Sequence, residues 1–494
     1  MKSYHKYIIL SFLLVGLVSL QFCSSAARKK TSTSKQEQQF NRADKPEPGT
    51  PPEIALPESE KVTLENGLDI VLVTQSELPM VVMEIVVNTG SATDPLPQTG
   101  LADFTAAMLD EGTESRSSLQ IAEDADFLGA QLNTGANWDY SYVKLTTLNK
   151  HLDPAMDVFT DVILHSNFPQ EEFDRVRQER LNSLLQKQDR PNTIATDVFY
   201  KVIYTDQHPY GTPDEGTEES LNALTVNDLQ AFKEKYYQPN NATLFVVGDM
   251  TMDELLPLVG EKFGAWEASD NEFFGVPEIP DTDFSNIYVI DKPGAPQSQI
   301  RIGHPGLHRN NPDYPAVQVM NEILGGSFSS RINMNLREDK GFTYGARSIF
   351  VYRKGLGPFI AYSGVKTSTT DSAVVEFMKE IQGMTERPVA DTELNKAKSA
   401  LTLSLARETE TLNQILDFQI DEVVYNLPEG HINQYVTAVR HLTKDDIQRV
   451  AEKYLHLDNM AIVIVGDAET ITPKLQSLGY GEVIELDASG NPVN

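Results

Sequence analysis

Cysteine is almost absent from this chain of 494 residues, since Cys23 is the single one. A lone cysteine has no partner within the chain, which excludes an internal disulfide framework. Basic residues are also scarce, because 41 lysines and arginines face 71 aspartates and glutamates and the net charge is −30 at pH 7. A surface this acidic repels a phosphate backbone, so the composition excludes nucleic acid as a partner.

The apolar run at the start of the chain is too short to span a bilayer comfortably. It extends from Tyr7 to Leu20, behind a tip that carries lysine, and it is typical of a secretory signal. We predict a signal peptide over residues 1–27, followed by a flexible, proline-bearing tether over 28–55. The mature protein is then expected outside the cytoplasm, in the periplasm or at the bacterial envelope.

Cys23 lies where a bacterial lipoprotein is cleaved and acylated. Phe22 precedes it, whereas small residues usually stand at that place. Cleavage near Ala26 or Ala27 without a lipid is the alternative. Both interpretations stay open, and contact with a membrane is expected only through a lipid on Cys23.

An internal repeat divides the chain into two homologous halves. The segment LTVNDLQAFKEKYYQPNNATLFVVGD (224–249) recurs as LTKDDIQRVAEKYLHLDNMAIVIVGD (442–467), with 11 of 26 positions identical and no gap. Each copy predicts a helix, a turn and a buried strand. The periodicity breaks between the halves, where prolines and glycines are frequent. The predicted parts are a first unit (56–268), a linker (269–286), a second unit (287–486) and a tail (487–494).

The stretch GLADFTAAMLDEGT, from Gly100 to Thr113, predicts a short amphipathic helix. Asp103, Ala106 and Ala107 share one face of it, because positions i, i+3 and i+4 stack on a helix. A zinc peptidase of the inverted type carries His-x-x-Glu-His on such a face, with two imidazoles for the metal and a carboxylate to activate water. An alanine methyl does neither, so this chemistry is missing.

The residues around that face nevertheless resemble a known family. Gly-Leu-Ala before the face and Met-Leu-x-x-Gly-Thr after it are similar to the pitrilysin/insulinase family of zinc peptidases, which includes the mitochondrial processing peptidase. The family's third zinc ligand is a glutamate on a later helix, and aligning FDRVRQERLNSLLQ with that helix places its paired glutamates at Asn182 and Ser183. The resemblance implies an α+β fold of two homologous units, each a mainly antiparallel sheet packed with helices.

A second motif of the family is present. Ser327 to Lys340 predicts a helix and Phe342 to Tyr352 predicts a strand, so Arg337 and Tyr344 flank a reversal of the chain. Without the resemblance, a helix-terminal salt bridge and a packed strand tyrosine are the simpler interpretation. The run LREDKGFTYG, however, resembles a motif whose Arg and Tyr reach into the catalytic chamber. Their donors suit peptide carbonyl groups and a developing oxyanion.

Taken together, the resemblance implies the non-catalytic, substrate-binding subunit of an exported two-subunit zinc peptidase. Arg337 and Tyr344 would bind a peptide in a chamber shared with a zinc-bearing homologue, with which this chain forms a heterodimer. The peptide would join a sheet edge as an added strand. No metal is expected in this chain, and zinc is expected in the partner. The alternative is a non-enzymatic scaffold or assembly protein of the same fold.

Other candidate residues carry weaker signals. Asp103, Asp110 and Glu111 are carboxylates near the degenerate face, but the last two are typical of a solvated helix end, and one carboxylate alone is a poor divalent site. His304 and His308 are four residues apart, yet Pro305 and Gly306 between them disfavour the helix that would aim both at one metal. A further histidine, in the run His-Pro-Tyr-Gly at 208–211, is predicted to be a turn residue with local hydrogen bonds.

Overall fold

The computed structural model describes residues 58–271, 273 and 275–493. The predicted signal peptide (1–27), Cys23 and the tether (28–55) lie outside the described residues. Among the helices of the described part, none combines the length and the apolar character that crossing a membrane requires.

The first half of the described chain forms a six-stranded sheet with helices packed against it. β1 and β2 form a hairpin, whose turn includes Gly67 at φ 91°, a conformation that glycine adopts without strain. The strands are β1 (Ser59–Thr63), β2 (Asp69–Thr74), β3 (Met80–Val87), β4 (Gln131–Ala136), β5 (Ser141–Leu148) and β6 (Ala242–Gly248). The helices are α1 (Leu101–Ala107), α2 (Ser118–Leu128), α3 (Leu152–His165), α4 (Gln170–Lys187), α5 (Pro191–Tyr204), α6 (Glu218–Ala223), α7 (Val226–Tyr236) and α8 (Met252–Phe263).

The second half repeats this plan with a second six-stranded sheet in the described residues. Its strands are β7 (Ile287–Asp291), β8 (Gln297–Pro305), β9 (Ala346–Phe350), β10 (Pro358–Lys366), β11 (Ala461–Gly466) and β12 (Val483–Leu486). Its helices are α9 (Tyr314–Asn321), α10 (Arg331–Asn333), α11 (Thr370–Glu386), α12 (Asp391–Arg407), α13 (Leu412–Val424), α14 (His431–His441), α15 (Lys444–Tyr454) and α16 (Ala468–Leu475). Two π-helical segments, Glu322–Gly326 and Met334–Asp339, follow α9 and α10.

The order of the strands confirms that the halves are homologous. The first sheet runs β1-β2-β6-β3-β5-β4 and the second β12-β7-β11-β8-β10-β9. In both sheets the third strand pairs parallel with the second and antiparallel with the fourth. The outermost strand at one edge comes from the start of the first half but from the end of the second. The remaining pairs are antiparallel in the first sheet, which confirms the predicted α+β class.

The sequence repeat corresponds to the same pair of elements in each half. Its helix is α7 in the first copy and α15 in the second, each 11 residues long. Its strand is β6 or β11, and every residue of either strand is buried. A strand buried throughout needs cover on both faces of its sheet, so each sheet must be packed between two layers.

The second layer over each sheet comes from the other half of the chain. α5 lies between β5 and β6 of the first sheet in the sequence, but its Ile194, Val198 and Phe199 pack with Ile360 and Val463 of the second sheet. Conversely, α13 belongs to the second half and packs on the first sheet. Its contribution is an apolar face that meets valines and a phenylalanine of β2, β3 and β6: Ile415, Leu416, Ile420 and Val424 against Val71, Val73, Val82, Val86, Phe245 and Val247. The halves thus exchange helices.

Candidate functional site

The helix that carries the degenerate zinc face is α1, a buried element of the first half. A buried carboxylate, Asp94, holds its start by accepting hydrogen bonds from the main-chain N–H groups of Gly100 (2.9 Å) and Ala102 (3.0 Å). Burial raises the pKa of Asp94 well above its ordinary value, although these hydrogen bonds act in the opposite direction. The apolar side of α1, with Phe104 fully buried, faces the first core.

Asp103 forms an ion pair with Arg180 of α4. Their closest approach is 2.5 Å, from Nη1 to Oδ2, and Nη2 donates to the main-chain oxygen of Asp103 at 3.0 Å. The guanidinium also lies 5.1 Å from the centroid of the Phe104 ring. The side chains are 16% and 24% exposed, so a charge-assisted contact of this kind is stronger than one at the open surface. A fixed positive charge therefore occupies the side of Asp103 that faces α4.

The remaining positions of the face offer no metal ligand. Ala106 is fully buried and Ala107 half-buried, both with methyl side chains. Asn182 and Ser183 of α4 are exposed, and the amide oxygen of Asn182 accepts from Gln178 at 3.2 Å. Zinc needs imidazole, thiolate or carboxylate donors that converge on one point, and a guanidinium beside the one carboxylate opposes a second cation. These residues do not fit a zinc ion.

The two other carboxylates of this region are tied to neighbouring side chains. Asp110 accepts a hydrogen bond from the hydroxyl of Thr134 on β4 at 3.3 Å. Burial is the main cause that raises the pKa of Asp110, and repulsion from Glu111 adds to it. Glu111 is paired with Arg175 of α4 at 2.5 Å. In the part of the chain that the structure describes, no three His, Cys, Asp or Glu side chains are grouped to hold a metal ion.

Arg337 lies in the π-helical segment Met334–Asp339. Its Nε forms a contact of 3.1 Å with the carboxylate of the adjacent Glu338, and its side chain is 37% exposed. The guanidinium lies 4.6 Å from the centroid of the Phe328 ring, itself 56% exposed. A guanidinium over an aromatic ring keeps its N–H edge free for an acceptor. Arg337 is therefore supported from one side and open to solvent.

Tyr344 is one of the most exposed large side chains, at 90%. It precedes β9 by two residues. Thr343 anchors the loop, because its hydroxyl donates to the carbonyl of Gly364 at 2.8 Å. Within the described residues no hydrogen bond or ring contact joins Arg337 to Tyr344. Both are accessible from solvent on the same short segment between α10 and β9.

β4 and β9 each form one edge of their sheet. In the described residues β4 pairs only with β5, and β9 pairs only with β10. The outer edge of β9 is partly used by side chains, because the N–H of Ala346 donates to Asn333 and the carbonyl of Ser348 accepts from Asn321, both at 3.1 Å. Unpaired N–H and C=O groups along an edge strand are the template for strand addition, so β4 is the better candidate edge.

His208, His304 and His308 have structural roles. Nδ1 of His208 accepts from the main-chain N–H of Tyr210 at 3.0 Å, which confirms the predicted local turn. His304 lies in β8 and not on a helix, and burial lowers its pKa to about 3. His308 contacts the carbonyl of Lys354 through Nδ1 at 2.9 Å. The pair at 304 and 308 is therefore not presented to a common metal.

Arg180 is the site residue that sequence reasoning did not find. It lies three residues before Ser183, and thus on the helix face predicted to hold the third ligand. The ion pair with Asp103 spans 77 positions of the sequence. The spacing along α4 indicates which helix face Arg180 shares with Ser183. Nothing in the sequence indicates that the guanidinium of Arg180 takes the place of a metal ion beside Asp103.

Comparisons with known proteins agree with this geometry. A model of the family described as Insulinase (Peptidase family M16) matches residues 70–211. A model described as Peptidase M16 inactive domain matches residues 223–401. The second match begins before β6, so the last strand of the first sheet lies within it.

Similar proteins include enzymes and a solved inactive domain. The chain is 26% identical to the uncharacterized zinc protease YmxG of Bacillus subtilis, over 72% of this chain and 85% of the relative. It is 21% identical to a probable mitochondrial-processing peptidase subunit beta of Arabidopsis thaliana, over 85% of this chain and 80% of the relative. A crystal structure of a peptidase M16 inactive domain from Pseudomonas fluorescens superposes with a TM-score of 0.78 at 25% identity, covering 83% of this chain and 98% of the other.

Proposed function

Since the chain belongs to peptidase family M16, we propose that it is a non-catalytic, peptide-binding subunit of an exported zinc peptidase. One contrast carries the proposal. The face where the family holds zinc has an Asp103–Arg180 ion pair and two alanines, whereas Arg337 and Tyr344 are present and open to solvent. A chain that has lost the means to activate water but keeps groups suited to a peptide fits a subunit that binds and orients.

The zinc and the general base then come from a second polypeptide of the same family. The relative of Arabidopsis thaliana is named as a subunit of a processing peptidase, which supports an arrangement of two chains. Each chain would contribute one wall of a closed chamber. Zinc in the partner would polarise the scissile carbonyl and supply the nucleophilic hydroxide.

Arg337 and Tyr344 have chemistry suited to the bound peptide. The two Nη groups of Arg337 present a fork that matches a carbonyl or carboxylate group, because only its Nε is used by Glu338. The hydroxyl of Tyr344 is a donor on a ring that is 90% exposed, and such a donor stabilises an oxyanion as it develops. Closure of the partner over this segment would remove water and strengthen both interactions.

The peptide would be held as an added strand at a sheet edge. Among the described residues β4 pairs only with β5 and offers such an edge. Main-chain hydrogen bonds to β4 would fix the direction of the peptide without reading its sequence.

The decisive experiment combines co-purification with single-residue variants. This chain, affinity-tagged in its native host, is expected to retain a homologue with a His-x-x-Glu-His motif. The purified pair should cleave peptides in a chelator-sensitive way, whereas this chain alone should not. Arg337→Ala should lower kcat/KM about 100-fold or more, the usual effect of removing a donor to developing charge, while the pair still co-elutes in size-exclusion chromatography.

The matched control is Arg440→Ala, which removes an exposed arginine of α14 and should leave cleavage unchanged. Full activity of the Arg337→Ala pair would contradict the role of this residue. Retention of an unrelated large assembly, with no zinc peptidase in it, would overturn the proposal in favour of a scaffold protein.

A further inference from the structure

A cavity of about 670 Å³ lies where the two halves of the chain meet. The first half contributes Asn88, Trp138 and Asp139 to its wall, and the second half contributes Arg353, Lys354 and Tyr425. None of these residues belongs to the degenerate zinc face or to the Arg337 segment. The cavity is thus separate from the site described above, and its charges can be considered one by one.

Arg353 is the most deeply buried cation of this wall, with 5% of its surface exposed. Its guanidinium lies among three aromatic rings, with its carbon 4.5 Å from the centroid of Tyr210, 4.6 Å from Trp138 and 5.2 Å from Tyr200. Ring faces attract a cation, and the attraction is greater where water is excluded. The rings position the guanidinium but accept no conventional hydrogen bond from it.

Arg353 has no acidic partner within ion-pair distance among the described residues, and its buried Nη1 has no hydrogen-bond acceptor there. The carboxylates of Asp139 and Asp214 are near enough to interact with the charge of Arg353, but a buried donor without an acceptor is still unfavourable. Proteins leave such groups mainly where something else completes them. The arrangement points to an acceptor that is not part of the chain.

The two other cations of the wall already have partners. The ammonium of Lys354 donates to the side-chain oxygen of Asn88 and to the main-chain oxygen of Asp139, both at 2.6 Å. Arg309 is 3.6 Å from the carboxylate of Asp421 and lies over the ring of Tyr314. Both cations have acceptors, whereas Nη1 of Arg353 has none among the described residues.

The two acids that line the cavity do not supply the missing acceptor. Asp139 accepts from the hydroxyls of Tyr210 (3.3 Å) and Tyr425 (3.1 Å) and from the main-chain N–H of Lys354 (3.2 Å). Glu278 lies in the linker, is exposed, and makes no ion pair with Arg353 in the described structure. The oxygens of Asp139 thus accept from other donors and not from Nη1 of Arg353.

We infer that this cavity binds the carboxylate of a small organic acid with an apolar body, and that Arg353 is its anchor. A carboxylate matches the planar fork of a guanidinium. A carboxylate brings one negative charge, whereas a phosphate dianion would bring two next to Asp139 and Glu278. Trp138, Tyr425 and Val276 supply the apolar wall for the rest of the ligand. The acid is either a free carboxylic acid or the carboxyl end of a short peptide.

Titration calorimetry of the purified full-length chain tests this without any partner subunit, so its outcome is independent of the proposed function. The probes are 3-phenylpropanoate, the tripeptide alanyl-alanyl-phenylalanine, its C-terminal amide, and inorganic phosphate. Binding of one or both carboxylates, but not of the amide or phosphate, is expected, and which carboxylate binds distinguishes a free acid from a peptide end. Equal binding of the amide, preferential binding of phosphate, or no binding at millimolar concentration overturns the inference.

Variants connect the binding to Arg353. Arg353→Gln should weaken the carboxylate roughly 10- to 150-fold, the range for losing hydrogen bonds to a charged group. Arg190→Gln, which changes an exposed arginine before α5, should leave the affinity unchanged. Arg353→Lys keeps the positive charge and replaces Arg353→Gln in the test if the glutamine variant does not fold. The lysine variant is also expected to bind the carboxylate more weakly than the wild type. Quenching of Trp138 by the ligand is a second readout, and unchanged affinity in a folded Arg353 variant contradicts the inference.

Discussion

At the scale of single residues, Arg180 brings to Asp103 the positive charge that a metal ion would otherwise provide. The guanidinium is part of the chain and carries no exchangeable water, so it neutralises the carboxylate without creating a nucleophile. Ala106, fully buried beside it, leaves no room for the glutamate that would take a proton. The packing of α1 against α4 therefore supports the proposed non-catalytic role, and no single substitution at Asp103, Ala106 or Ala107 is expected to give zinc-dependent hydrolysis.

Glu84 is a second residue whose charge is unusual. It lies on β3 opposite Lys144 of β5, 3.2 Å from its ammonium, with 6% of the side chain exposed. Burial raises its pKa from 4.5 to about 7 in the folded protein, and Lys144 only partly offsets this. Glu84 shares its sheet face with Val82 and Val86, under the exchanged helix α13. Its ionisation therefore opposes the contact between the halves.

This predicts a pH-dependent loss of stability. Below pH 4.5 the carboxyl of Glu84 is protonated whether the chain is folded or unfolded, so its titration does not change the free energy of unfolding. Between 4.5 and 7 the unfolded chain releases the proton first, and the free energy of unfolding falls by up to about 3 kcal/mol. Glu84→Gln should match the wild type near pH 4 and exceed it by that amount at pH 8, as measured by urea denaturation.

An exposed glutamate of β12, changed as Glu485→Gln, is the control and should follow the wild type at every pH. If the difference between Glu84→Gln and the wild type stayed constant from pH 4 to 8, the burial of a titrating carboxyl would not be its cause.

At the scale of helices and strands, sequence periodicity predicted the regular elements well and the irregular segment poorly. A helix was expected in each copy of the repeat, and both are observed, as α7 and α15. By contrast, Ser327 to Lys340 was expected to be one helix, and the structure has α10 followed by a π-helical segment. The reason lies in Asn333, whose side chain accepts from the N–H of Ala346 at 3.1 Å and donates to the carbonyl of Phe328. Such long-range contacts are invisible to periodicity.

The candidate site, too, could be predicted from the sequence only in part. The loss of ligands at 103, 106 and 107 could be read from residue types alone, and the exposure of Arg337 and Tyr344 followed from their place between two elements. The roles of Arg180 and Arg353 could not be predicted, because both depend on partners far away in the sequence. The exchange of α5 and α13 was also not predicted, since an amphipathic pattern does not indicate which sheet a helix covers.

The exchange can be tested on α13. Leu416 is fully buried between this helix and the first sheet, so Leu416→Ala should lower the free energy of unfolding by about 2–5 kcal/mol. Both tryptophans of the chain, Trp138 and Trp266, are in the first half. Their fluorescence should therefore report a lower denaturation midpoint even though the substitution is in the second half.

The comparison variant is Leu403→Ala on α12, where the side chain is 46% exposed and little change is expected. A tryptophan transition that does not move in Leu416→Ala, while circular dichroism shows the second half melting earlier, would contradict the packing of α13 on the first sheet.

At the scale of the whole molecule, the covalent link between the halves is less important than their packing. α8 ends at Phe263 and β7 begins at Ile287, and the described residues between them form no helix or strand. A specific protease site inserted between Glu267 and Ala268, both exposed, should allow the chain to be cut without unfolding. The two fragments should then co-elute in size-exclusion chromatography and separate only in denaturant. Separation in native buffer would show that the exchanged helices do not hold the halves together.

The reciprocal cover of the two sheets also limits how such a chain can have diversified. Once each copy of a tandem duplication shields its sibling, neither works as an independent gene product, since a piece released on its own would present a bare valine-rich surface and aggregate. Replacing one half by that of a distant homologue should give a folded protein only when the covering helix, α5 or α13, is replaced together with the sheet that it covers. The two halves are therefore expected to evolve together, as one gene product.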